Sequence, residues 1–288
     1  MRADLSFTCA YGALEPVAPL VRRIVARNSG PFTFRGTGTY VVGRGKVAVI
    51  DPGPDLAEHV AALLAALDGE TVTHILVTHT HRDHSPAAAT LKAATGAATF
   101  GFGPHGVVGE AVEAGADLAF VPDHALRDGD AIEGAGWRLA AVHTPGHTSN
   151  HLCFALAGER ALFSGDHVMG WSTTVISPPD GDMRDYMRSL ERLRRRDDAV
   201  YWPTHGAAIA DPQAHVAALI AHRRARRDAV LAALAAGPAR PADLVPAVYE
   251  NLDRALVGAA ARSLLAHLIE LREDGQAIEE AGVWRVAV

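Results

Sequence analysis

Lysine is almost missing from this chain. Lys46 and Lys92 are its only lysines, so nearly all of the 27 basic residues are arginine, and the net charge is −6. That balance gives no general reason to expect a nucleic-acid partner. Cysteine is scarce as well. Cys9 and Cys153 form no CxxC pair and no disulfide framework, which predicts a reducing, cytoplasmic setting. No apolar run approaches the ~20 residues of a membrane span. The first residues, 1-MRADLSFTCAYGALEP-16, carry Asp4 and Glu15 where a secretion signal needs an apolar core, so no targeting segment is expected. Internal repeats and low-complexity segments are absent. So is any GxSxG-type motif, and with it the usual sign of a serine nucleophile.

What is present is an ordinary globular balance. Of 288 residues, 49% are hydrophobic and 21% charged, which suits one large domain or a large one with a small companion. Short apolar runs bounded by Gly, Pro or Asp predict strands at 39–43, 47–51, 74–78, 138–143, 152–156, 161–165 and 199–203. Helical periodicity falls between them at 55–67 and 183–196. The mixture predicts an α/β fold, with sheets covered by helices. After His205 the texture changes. Asp211 as N-cap, Pro212 at the first position and Gly237 past the end predict one long helix over 211–236. Further helices are expected near 243–250 and 255–274, then a hairpin of 276–280 and 283–288 turning at Ala281-Gly282. Helices followed by a hairpin are the order of a winged-helix domain. The expected organisation is a catalytic domain over 1–210, a linking helix over 211–240 and a winged-helix-like domain over 241–288.

The chemistry concentrates in 78-THTHRDH-84, directly after the apolar run 75-ILV-77. Polar groups at the end of a buried strand need partners, and a purely structural set is hard to imagine for three histidines and an aspartate. If the stretch stays extended, His79 and His81 point the same way, while Asp83 and His84 follow the turn. One loop thus offers ligands on two faces, to two neighbouring metals. Imidazole and carboxylate suit Zn²⁺, with Mn²⁺ or Fe as alternatives. Ligand-type residues recur after later strands: His147 in 144-TPGHTSNH-151, Asp166 in 163-FSGDH-167 and His205 in 202-WPTHG-206. Rigid strands that deliver ligands to one sheet edge are what a metal cleft requires.

Taken in order, these motifs resemble the metallo-β-lactamase superfamily over about residues 35–206. The resemblance implies an αββα sandwich with metals at the edge of its two sheets. It implies that His79, His81 and His147 hold a first metal, that Asp83, His84 and His205 hold a second, and that Asp166 bridges them, with two Zn²⁺ per chain. In the implied mechanism, metals ~3.5–4 Å apart share a hydroxide of lowered pKa, which attacks a carbonyl or phosphorus. Asp166 and Asp83 are then the catalytic candidates, the one bridging and the other orienting the water.

Branches of the superfamily differ in detail. The antibiotic-hydrolysing branch has lactamases with Cys where Asp166 stands, the flavodiiron branch has Glu where His81 stands, and the β-CASP nucleases need an insert for which the interval from Asp166 to His205 has no room. The chain is most similar to the lactamase-beta-2-like group, whose catalytic domain precedes a winged-helix-like one, and the likeness extends to 173-TTVISPPDGDMRDYMRSLERL-193. That implies a binuclear hydrolase, with a single-stranded RNA phosphodiester ranked ahead of a thioester or other small ester. Alternatives are a glyoxalase-II-like thioesterase, an iron sulfur dioxygenase and a nucleic-acid-binding regulator. A homodimer is a further expectation, and no membrane association is expected.

Other residues carry plainer expectations. His59, His215, His222 and His267 lie in helical segments and are read as structural or solvated. Asp51 is read as structural, bonded near the loops and off the metals. His151 and His167 flank ligands and are left open between supporting the metals and touching substrate. The basic runs 222-HRRARR-227 and 192-RLRRR-196 are read as solvated helix faces. From 223 onward, nine arginines meet nine acidic residues, too neutral for a reader of DNA, so the tail is expected to pack over the site and shape its cleft. Substrate contacts are expected from the loops 101–106 and 167–175.

Overall fold

The computed structural model describes residues 3–106, 115–249 and 252–287. Along the chain come β1 (Glu15–Pro16), β2 (Val21–Val25), β3 (Gly38–Val42), β4 (Lys46–Ile50), α1 (Ala57–Ala66), β5 (Thr71–Leu76), α2 (Ala87–Thr95), β6 (Ala98–Gly101) and β7 (His124–Ala125). They are followed by β8 (Ala131–Gly134), β9 (Trp137–His143), β10 (Leu152–Leu156), β11 (Ala161–Gly165), α3 (Met183–Leu193), β12 (Val200–Pro203) and α4 (Pro212–Ala235). Last are α5 (Pro241–Val248), α6 (Val257–Glu273), β13 (Ala277–Glu280) and β14 (Val283–Val286). Glu250 and Val288, the ends of an expected helix and an expected strand, lie outside the described residues.

Two large sheets form, β1 to β7 in sequence order and β12-β11-β10-β9-β8, beside a two-stranded one of β13 and β14. From β4 to β7 the strands run parallel, which requires crossovers, and α1 and α2 supply two of them. The two large sheets bury their inner faces against each other through Tyr40, Ile50 and Leu76 from the first and Leu139, Phe154 and Phe163 from the second. Each such side chain contributes ~1.5–3 kcal/mol on leaving water. The outer face of the first sheet packs Val41, Val49 and Ile75 against Leu63 of α1 and Leu91 of α2. That of the second packs Val142, Leu162 and Tyr201 against Tyr186 and Leu190 of α3 and Val216 and Leu219 of α4. The layering is therefore helix, sheet, sheet, helix.

The last part of the chain has its own core, in which Leu244, Val245, Leu264, Leu268 and Trp284 close over Val230 and Leu234. The last two belong to α4, so one helix ends in two hydrophobic cores. Asp211 caps it, its carboxylate accepting from the Ala214 amide, and Pro212 opens its first turn. β13 and β14 pair antiparallel, and Ala239 adds a bridge to Trp284. Ala281 and Gly282 turn the hairpin with φ of 52° and 80°, the primed geometry that matches strand twist.

One expectation fails here. The run 222-HRRARR-227 is not a solvated face. Arg223 is buried at 3% exposure, donates to the Thr174 carbonyl and lies 5.1 Å over the Tyr186 ring. Arg226 reaches the Val248 carbonyl and the Tyr249 ring, and Arg227 pairs with Asp274 at 2.7 Å. These arginines bind the C-terminal helices to the sandwich. Charge counting could not reveal this, because it depends on which helix face meets a neighbour.

Candidate metal centre

The residues that sequence spacing singled out converge at one edge of the sandwich. His79 and His81 follow β5, His147 follows β9, Asp166 follows β11 and His205 follows β12, each just past a strand's C-terminal end. Two glycines make the turns possible. Gly146 holds a φ of 135° against the Tyr186 backbone, and Gly165 holds a φ of 52° over the His151 ring, so a side chain at either position would collide.

Two groups result, His79 with His81 and His147, and Asp83 with His84, Asp166 and His205; within each, the ligand atoms lie within 4.8 Å of one another. In the first, His81 Nδ1 stands 2.9 Å from His79 Nε2 and 3.1 Å from His147 Nε2. Ligands at ~2.0–2.1 Å around a tetrahedral metal sit about 3.3 Å apart, so the triangle has the right size. In the second, Asp83 Oδ2 is 3.1 Å from His205 Nε2 and 3.3 Å from His84 Nε2. Asp166 reaches across: its Oδ2 is 3.5 Å from His84 Nε2 and 3.9 Å from His147 Nε2, while its Oδ1 is 3.3 Å from His205 Nε2.

The rings are aimed from behind. His79 Nδ1 is 3.0 Å from Thr78 Oγ1, His147 Nδ1 is 2.7 Å from the Val175 carbonyl, and His205 Nδ1 is 3.1 Å from the Gly36 carbonyl. His84 Nδ1 is 2.9 Å from Asp51 Oδ2. Such partners fix the tautomer and the ring orientation, with Nε2 turned toward the centre. Asp51 is a hub. It accepts from the Thr78 amide and hydroxyl at 2.7 Å and from Thr204 Oγ1 at 3.2 Å, and so joins the His79 loop to the His205 loop. Arg23, which the sequence did not mark, steadies the latter by donating to the carbonyls of Thr204 at 3.1 Å and Gly206 at 2.7 Å.

Charge differs between the groups. Burial, reinforced by the neighbouring histidines, holds the His79 pKa well below its usual value, so that ring stays neutral. Burial also opposes charge on His84 and His205, yet the carboxylates of Asp83 and Asp166 outweigh it. They carry His84 well above its usual value and His205 to about 10. Burial likewise opposes ionisation of Asp83 and Asp166, and the same two histidines hold both well below the usual carboxylate range.

The donor set passes a direct test of fit to a metal. His84 Nε2, His205 Nε2 and Asp166 Oδ1 are buried and make no well-aligned hydrogen bond; they have only ion-pair contacts of 3.1 to 3.5 Å within the group, a poor exchange for lost water. All three face the same point. A divalent cation there would satisfy them together.

His151 and His167 stand behind the centre. Both are fully buried; the His151 ring lies 5.1 Å from that of His79, and the His167 ring 5.6 Å from that of His151. Neither reaches the cleft, which settles what the sequence left open about substrate. The cleft over the centre encloses about 560 Å³. Met169 and Val175 line it, from the expected loop 167–175, while none of 101–106 does. His105 of that loop is instead buried with its Nδ1 3.0 Å from Thr80 Oγ1. Unexpected lining comes from Phe32 and Thr33 and, across the cleft, from Gly258, Ala259 and Arg262 of α6.

A four-layer sandwich with a His- and Asp-rich centre at its sheet edge, followed by helices and a hairpin, defines the class: a hydrolase fold built around metal ligands. Residues 33–205 match the family model described as Metallo-beta-lactamase superfamily, and residues 241–284 that of the Beta-lactamase associated winged helix domain. The chain belongs to the metallo-beta-lactamase superfamily, in its form with a C-terminal winged helix. It is 35% identical over 230 residues to "Lactamase-like protein adaB" of Aspergillus niger, covering 79% of this chain and 68% of that protein. It is 32% identical over 259 residues to an "Atrochrysone carboxyl ACP thioesterase" of Aspergillus fumigatus, covering 83% of this chain and 76% of that one. Among solved structures, a metallo-beta-lactamase family protein from Thermus thermophilus superposes with a TM-score of 0.79 at 26% identity, covering 94% of this chain and 100% of that one.

Proposed function

We propose that the protein is a metal-dependent thioester hydrolase. The observation that carries this reading is the pairing of a two-group ligand centre with relatives whose printed activity is thioester cleavage. Those relatives move a thioester ahead of the RNA phosphodiester that the sequence ranked first. In this reading His79, His81 and His147 hold one divalent metal, Asp83, His84 and His205 a second, and Asp166 both, with Zn²⁺ best suited to the donors. Bound there, the metals would supply a water of lowered pKa and positive charge opposite the developing oxyanion.

The chain's own groups do the rest. The apolar walls at Phe32, Met169 and Val175 exclude bulk water and hold the acyl part. Asp83, its side chain one-quarter exposed on the cleft floor, can orient the attacking water and pass its proton to the departing sulfur. Water adds to the thioester carbonyl, the C–S bond breaks, and a carboxylic acid and a thiol leave.

Elemental analysis joined to a thioester assay tests this. About two metals per chain, with turnover abolished by chelation and restored by Zn²⁺, is the expected result. Cleavage of single-stranded RNA with no thioester turnover would overturn it, as would a single iron with oxygen consumption.

A further inference from the structure

The cleft is lined by two kinds of side chain. Some are apolar: Phe32, 51% exposed, with Met169 and Val175. Others are basic: Arg82 comes from the ligand loop and Arg262 from α6 of the winged helix, so both units of the fold contribute positive charge to the lining. Both side chains are exposed. Arg82 Nε donates to the Ala116 carbonyl at 3.1 Å, and Arg262 Nη1 to Ser177 Oγ at 3.1 Å and the Pro178 carbonyl at 3.4 Å. Among the described residues neither guanidinium has a carboxylate partner. This contrasts with arginines of α3 and α4: Arg184 pairs with Asp274 at 2.6 Å and Arg227 with the same residue at 2.7 Å. These bonds fix the two cleft arginines in orientation while leaving most of their five N–H donors unused.

We infer that the substrate is an amphipathic acyl thioester bearing an anionic group, with its apolar body against Phe32, Met169 and Val175 and its anion between Arg82 and Arg262. The inference rests on the thioesterase reading and narrows it. A planar guanidinium suits a carboxylate or phosphate because it offers two parallel N–H donors. Two chemical sources fit: a carboxylate on the acyl chain, or the phosphate of a phosphopantetheine arm on the thiol side. Gly258 and Ala259 line the cleft on the same helix as Arg262.

The test uses stable thioether analogues, so that it reads binding and does not depend on turnover. Three are compared by calorimetry on the metal-loaded protein: an S-alkyl N-acetylcysteamine with no anion, the same molecule with a terminal carboxylate on the alkyl chain, and an S-alkyl phosphopantetheine. In the wild type, one of the two anionic analogues is expected to bind ~10-fold more tightly than the neutral one, as a charge-assisted bond implies. Which of the two does so identifies the source of the anion. That preference is expected to fall at least ~5-fold in Arg262→Gln and in Arg82→Gln and to return in Arg262→Lys. A preference equal in wild type and both Gln variants would overturn the inference, as would equal binding of all three analogues by the wild type. Failure of the thioesterase reading would show separately, as absent turnover of the matching thioesters by a protein that still discriminates between the thioethers.

Discussion

The two ligand groups lie side by side, yet opposite chemistry builds them. His79, His81 and His147 are three imidazoles, with a neutral ring at His79 and no carboxylate of their own. Asp83, His84, Asp166 and His205 alternate acid and base, and in the metal-free protein His84 and His205 carry protons held by the acids. The His79 ring of the first group is thus already in the form that binds a cation. The second must exchange protons for one. Asp166 offers a carboxylate to both, through one oxygen near His84 and His147.

The most severe way to break this contrast is Asp166→Ala. In the proposed two-metal centre it removes the shared ligand, so both groups should lose metal together, with thioester turnover falling on the order of 10³-fold; elemental analysis beside a rate assay reads both. If the first group keeps its full metal in that variant, the two are independent sites. Asp51→Asn strikes the second group more than the first, because Asp51 bonds His84 directly and His79 only by way of Thr78. Metal affinity at the second group should fall ~10–100-fold, visible as one tight and one weakened step in a titration.

Proton exchange sharpens the same contrast. His84 and His205 have raised pKa values, so at pH 7 they are protonated in the metal-free protein and must lose protons to bind metal. Affinity at the second group should therefore rise with pH, ~10-fold per unit for each displaced proton, and level off as pH approaches the value of about 10 for His205. His79 is already neutral, so it should release no proton on binding metal at pH 7. Calorimetry in buffers of different ionisation enthalpy counts the protons released at each step. The smallest effect is expected from Arg23→Gln, which frees the loop around His205. It should weaken the second group's metal only a few-fold while lowering stability by ~2 kcal/mol through lost charged hydrogen bonds, read by titration and by thermal melting.

Much of this was legible in the sequence, for identifiable reasons. The ligands follow strands whose apolar runs announce themselves, and β10 and β11 occupy the expected ranges of 152–156 and 161–165. The ends of α4 were written in Asp211, Pro212 and Gly237. α2 was missed because AAATLKAAT offers only Leu91 as a large apolar residue, and alanine has no strong periodicity to read. β2 was missed because Arg22 and Arg23 interrupt its apolar pattern, and Arg23 turns out to be buried, held by carbonyls far along the chain. Arg262 and Phe32 were missed for a related reason. Their importance arises from a cleft assembled by segments more than 200 residues apart, and no local pattern encodes that meeting.

The helix α4 has a consequence for anyone who would divide this protein. Its first half is a wall of one hydrophobic core and its second half a wall of the other. A cut before it would strip the sandwich of Val216 and Leu219, and a cut after it would strip the C-terminal unit of Val230 and Leu234. The two family matches invite separate expression of two pieces, but the smallest portion able to melt as a single cooperative body is the one that keeps this beam whole and shared.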